Sequence, residues 1–140
     1  GRTPVSHVTL LCADRPLPLR EPKTRRIRTV RDGGHTIQVE EDGFSVRPNE
    51  YYQHAVEELN FPMKGMRYEL DLRAAPEDAA ALRAYLEANL TPGETVELWS
   101  VWVPRYPEDG LTRYRGRLAD LDREAIEPLE KWNTCITVER

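Results

Sequence analysis

The chain has 140 residues, of which 39% are apolar and 31% charged, with a formal net charge of −4. That length buries a core without help from metals or disulfides, and the composition fits one globular domain with a charged surface. No run approaches the ~18 apolar residues of a membrane-spanning helix, and no repeat or low-complexity linker divides the sequence. A single cytoplasmic domain over residues 1–140 is therefore expected.

Charge is unevenly spread. Residues 1–34 carry eight Arg or Lys against three acids, whereas residues 40–97 carry thirteen acids against five bases. Such a division steers a charged partner, or joins complementary parts of one fold. Cys12 and Cys135 stand in apolar, strand-like contexts with no Cys-x-x-Cys and no nearby histidine. They read as buried structural thiols.

In chain order, residues 8–12 (Val-Thr-Leu-Leu-Cys) predict a short strand, and three prolines between Arg15 and Pro22 predict an extended loop. The arginine-rich stretch from Arg25 to Arg31 reads as a solvated edge strand or, alternatively, as an RNA-binding patch. It lacks the interleaved aromatics on which bases stack. Asp32-Gly33-Gly34 is a turn, followed by alternating strand patterns at 36–40 and 44–47. Residues 7–47 thus predict an N-terminal antiparallel β meander, and 1–60 a β-rich elaboration. Asn49 is placed to cap a short helix over 50–59.

From Met66 the periodicity strengthens. Met66, Tyr68, Leu70 and Leu72 alternate with Arg67, Glu69, Asp71 and Arg73, a strand with one apolar and one charged face. Pro76, Glu77 and Asp78 open a helix whose stripe is Ala79, Leu82, Tyr85, Leu86 and Leu90, with Gly93 beyond it. Residues 95–103 are apolar on both faces, as a central strand is. Strand 112–118, helix 122–132 (with Pro128 as an objection) and strand 134–138 complete the chain.

The order over 66–139 is β-α-β-β-α-β, which predicts an α+β fold with the split βαβ, ferredoxin-like arrangement. Strands 66–73 and 95–103 would run parallel, with strand 112–118 inserted between them. This order resembles that of RNA-recognition-motif domains. Their third-strand signature needs alternate aromatics, and the corresponding stretch here, residues 114–119, holds only Tyr114.

Arg113, Arg115 and Arg117 share one strand face, so they predict either an ion-pair lattice with Glu69 and Asp71 of the neighbouring strand or a binding surface for oxyanions. Trp99, Trp102, Tyr106 and Trp132 are core residues or an aromatic pocket. His7, His35 and His54 lack metal-ligand spacing, and His54 with Glu58 at i+4 reads as a surface pair. No nucleophile elbow or Walker loop is present, and no metal or cofactor is expected.

With no catalytic constellation, the expected function is that of a non-enzymatic protein-binding module. Arg113, Arg115, Arg117, Glu69, Asp71 and Trp102 would bind, and a basic protein would be the partner. The likeness to small acidic inhibitors of basic nucleases, such as bacterial immunity proteins, is one of size and charge. Homodimerisation through an edge strand is the companion expectation. The alternative is a small-molecule enzyme or ligand-binding domain in which the arginine stripe holds an anionic group and Glu69, Asp71 or His54 moves protons. Neither membrane nor nucleic acid is the expected partner.

Overall fold

The computed structural model describes residues 6–22, 24–25, 40–41, 44–104 and 110–140. In chain order the elements are β1 (Ser6–Ala13), β2 (Thr24–Arg25), β3 (Glu40–Glu41), β4 (Ser45–Pro48), α1 (Gln53–Glu58), β5 (Met66–Asp71), α2 (Pro76–Asn89), β6 (Thr95–Val103), β7 (Thr112–Arg117), α3 (Arg123–Ile126) and β8 (Thr134–Glu139). Single 3-10 turns at Leu118–Asp120 and Glu127–Glu130 flank α3. The long helix expected over 122–132 is therefore broken. Pro128 sits near the start of the second turn, where its missing N–H leaves no helical bond unmade.

Six strands form one mixed sheet in the order β4-β5-β1-β6-β8-β7, and β2 pairs with β3 separately. The fold is α+β, but the strand order is not the ferredoxin-like one. The strands β5 and β6 run parallel and are joined through α2, as expected, yet β1 occupies the slot between them. It pairs antiparallel with both, Leu10 standing opposite Glu69 on one side and Trp99 on the other. The strand expected in that slot, β7, lies at the far edge, parallel to β8.

Burial capacity explains the exchange. A central strand must bury both faces. Val8, Leu10 and Cys12 fill one side of β1 and Leu11 and Ala13 the other, all buried. By contrast β7 reads Thr-Arg-Tyr-Arg-Gly-Arg, and all six residues are exposed. Buried there, its three guanidinium groups would be stripped of water without enough carboxylates to compensate. The first strand is thus the middle of the sheet, not an elaboration upon it. The middle of the expected meander falls on residues 26–39, which lie outside the described residues.

The sheet has a core on each side. On one, Leu11, Val46, Leu70, Val96, Leu98 and Ile136 meet Ala79, Leu82 and Leu86 of α2 and Ile126 and Leu129 of the α3 region. Full burial of each such side chain contributes about 1.5–3 kcal/mol. On the other, Val8, Leu10, Trp99, Val101 and Val103 meet Val56, Leu59 and Met63. The second apolar face of β6 is thus covered from within the chain, by α1 and the segment after it. Phe61 lies across Trp99 with ring centroids 5.4 Å apart.

Glu97 fastens that cover. Its carboxylate accepts the Lys64 backbone N–H at 2.8 Å and the Trp99 indole N–H at 3.2 Å. At the same end of β6, Arg15 donates to both oxygens of Glu94 at 2.7 and 2.8 Å, tying the end of β1 to the start of β6. Asp78, fully buried in the first turn of α2, accepts the Arg73 backbone N–H at 2.8 Å and its guanidinium at 3.0 Å. Among the described residues no helix is long and apolar enough to cross a membrane.

Candidate functional site

The arginines of β7 do share a face. Each stands beside a β8 residue on the second-core side of the sheet, Arg113 by Cys135, Arg115 by Thr137 and Arg117 by Glu139. The Arg113 guanidinium lies 5.8 Å from the centre of the Trp99 ring, a cation–π distance. Arg115 and Arg117 share one carboxylate, Glu139, at 3.7 and 3.9 Å, with side chains 68% and 70% exposed. Such long, wet pairs contribute at most about 1 kcal/mol. Three cations against one acid leave the stripe positive.

The expected lattice with Glu69 and Asp71 does not form. Between β5 and β7 lie β1, β6 and β8, so four interstrand spacings of about 4.8 Å separate them by roughly 19 Å. The same correction removes the arrangement in which the stripe holds an anion while Glu69 or Asp71 moves its protons.

The β7 backbone adds a second property. Thr112 donates its N–H to the Asn133 carbonyl at 2.8 Å, so its backbone polar groups face β8. Direction alternates along a parallel strand. Tyr114 and Gly116 therefore also turn their N–H and C=O inward, and Arg113, Arg115 and Arg117 turn theirs outward. Among the described residues nothing pairs with that outer side. The residues that carry the positive stripe also carry the open hydrogen-bonding edge. The opposite edge, β4, is bridged from outside by Arg20 opposite Val46.

Glu69 and Asp71 belong to a separate place. β1 pairs with β5 only from Leu10 opposite Glu69 onward. Beyond that point the strands part, leaving a cleft of about 310 Å³ walled by Val8 and Thr9 of β1, Ser45 and Arg47 of β4, and Tyr52 ahead of α1. Burial raises the Glu69 carboxyl above its ordinary value, against a smaller opposing pull from Arg47. Trp102 does not line this cleft. It stacks edge-on with Trp132 at 5.1 Å and lies 5.6 Å from His7. The His7 Nε2 sits 2.5 Å from the buried Ser100 hydroxyl, and burial lowers its pKa.

His54 is 94% exposed and lies 3.9 Å from Glu57, not from Glu58, so it forms no buried acid/base pair. His35, Tyr106 and Arg26 to Arg31 lie outside the described residues. Cys12 and Cys135 are buried and free. Burial is the larger cause and the Glu97 charge the smaller of their raised pKa values, Cys135 being pushed up to about 11 and Cys12 further. Among the described residues no cluster of His, Cys, Asp and Glu is disposed to hold a metal ion.

Sequence reasoning missed Ser45, Tyr52 and His7 as neighbours of Glu69 and Asp71. Ser45 and Arg47 sit at alternate positions of a strand, like Glu69 and Asp71, and that matching alternation was the available signal. Compared with protein families, curated proteins and solved structures, the chain matches none.

Proposed function

We propose that this protein is a non-enzymatic protein-binding module whose contact element is the open edge of β7, and that its partner adds a strand bearing carboxylates at alternate positions. The observation that carries this reading is the coincidence, on Arg113, Arg115 and Arg117, of outward backbone groups with one uncompensated row of guanidinium side chains. Main-chain hydrogen bonds to an added strand supply affinity, and alternate side chains supply specificity. Carboxylates on that strand would meet the arginines bidentately. Self-pairing of two β7 edges would instead set arginine against arginine, which is destabilising, so a different chain is favoured over a homodimer.

A second reading keeps a basic partner. Asp120, Asp122, Glu124, Glu127 and Glu130 are exposed on the helical side, with Arg123 and Lys131 to oppose their charge. A basic protein would be steered to that layer.

Affinity capture from the native host with four baits separates these. Arg115→Ala removes one charge. Arg115→Pro also removes an outward N–H, a change that edge strands tolerate. Charge reversal of Glu124 and Glu127 probes the helical layer. The edge reading expects an acidic partner lost more completely with Arg115→Pro than with Arg115→Ala. A partner lost only on reversal of the acids would transfer the function to the helical layer.

A further inference from the structure

We propose that the cleft where β1 parts from β5 is a binding site for a small organic cation, a primary amine held by Glu69, Asp71 and Ser45. This site is independent of the β7 edge, which lies roughly four strand spacings away.

Ser45 stands opposite Asp71, and Arg47 opposite Glu69, in the β4–β5 pair. Residues opposite one another in an antiparallel pair have Cβ atoms about 4.5–5.5 Å apart, and alternate residues of one strand are about 6.8 Å apart. Three oxygen-bearing side chains therefore share one face of the sheet and line the cleft together. Among the described residues neither the Glu69 nor the Asp71 carboxylate has a hydrogen bond or ion pair. The Ser45 hydroxyl is wholly buried and lacks a partner among the described residues, although buried hydroxyls are ordinarily bonded. An ammonium group brings three donors to three such acceptors.

The charge balance agrees. Among the described residues Arg47 is the one Arg or Lys lining the cleft, with His7 the other titratable base, and the Arg47 guanidinium lies 3.3 Å from Glu21. Among the described residues the remaining formal charge on the walls is that of the two carboxylates. Tyr52 offers a ring against which an alkylammonium packs. The raised pKa of Glu69 fits a carboxylate whose desolvation outweighs the pull of the facing Arg47. A volume of about 310 Å³ suits a small molecule, at the lower end of ligand pockets.

The test is an amide NMR titration of the full chain with cadaverine and, separately, ethanolamine, using 1,5-pentanediol as a neutral control. Saturable shifts at Ser45, Glu69 and Asp71 are expected with the amines and not with the diol. Glu69→Gln combined with Asp71→Asn should weaken binding by about tenfold or more, the scale of a lost charged hydrogen bond. Ser45→Ala, which breaks no bond within the chain, should weaken it several-fold with the remaining spectrum unchanged. No saturation at tens of millimolar amine, equal shifts with the diol, or unaltered affinity in the double variant would overturn the proposal. So would a response to lysine-rich proteins without one to free amines, which would make this a protein contact surface.

Discussion

Replacing Glu97 by leucine attacks the fastening of the second core. The carboxylate takes two hydrogen bonds, from the Lys64 backbone at 2.8 Å and the Trp99 indole at 3.2 Å, and no substitute acceptor stands beside the indole in the described contacts. Each donor left without an acceptor costs about 1–3 kcal/mol. The gain from burying leucine in place of a half-buried carboxylate offsets part of that. A net loss of about 2–4 kcal/mol follows, which for a domain of this size lowers Tm by roughly 7–14 °C. Glu97→Gln keeps one amide oxygen as acceptor and should lose about half as much. Urea unfolding followed by circular dichroism gives the free energies. Tryptophan emission should shift to the red in the leucine variant under native conditions, as the segment over Trp99 loosens. A loss below 0.5 kcal/mol with unchanged emission would refute the claim that Glu97 holds the cover in place.

Other outcomes follow from the titrating groups. With Cys135 at about 11 and Cys12 higher, native thiols should react with Ellman's reagent at pH 8 at least ~100-fold more slowly than in urea; rapid native reaction would contradict the burial described. Glu69, raised in the folded state, binds its proton more tightly there, so its contribution to stability is present below the ordinary carboxyl range and is lost as pH rises through the folded value. Glu69→Gln should therefore be more stable than the parent at pH 7 and not at pH 4, measured by urea titration, and a less stable variant at pH 7 would count against the cleft geometry. Glu94 is held well below the usual range by Arg15 and then by Thr91, so its stabilisation is present above about pH 4.5 and fades as pH falls. Glu94→Gln should accordingly match the parent in strong acid and fall short of it at neutral pH in the same assay.

Local pattern was legible wherever one element decides it. Pro76, the acids after it and the Ala79–Leu82–Leu86 stripe define α2 without outside help, and the structure places it at Pro76–Asn89. The alternation of Arg113, Arg115 and Arg117 gave a shared face correctly. Pattern alone does not name a neighbour, however. The slot between β5 and β6 went to β1 because five of its residues are apolar with both faces represented, while β7 has three arginines. Both facts stand in the sequence, but the connection order of β-α-β-β-α-β argued the other way. The cleft was illegible for a different reason. It exists because β1 and β5 pair only from Leu10 opposite Glu69 to Ala13 opposite Met66 and then part, a long-range event with no local mark, and because Ser45 and Tyr52 arrive from separate elements. Glu58 lost its pairing with His54 to Glu57, as side-chain direction on a short exposed helix allows either neighbour.

The central claim is that β7 is an open edge carrying its own charge code, and amide hydrogen exchange along that strand tests it most directly. In the free protein the amides of Arg113, Arg115 and Arg117 should exchange quickly, and those of Thr112, Tyr114 and Gly116 slowly. Millimolar amounts of an extended peptide alternating glutamate with valine should slow the three arginine amides at low salt, and about 0.5 M salt should remove most of that protection. Slow exchange at all six positions in the free protein, or no protection of the arginine amides by the acidic strand, would contradict the account.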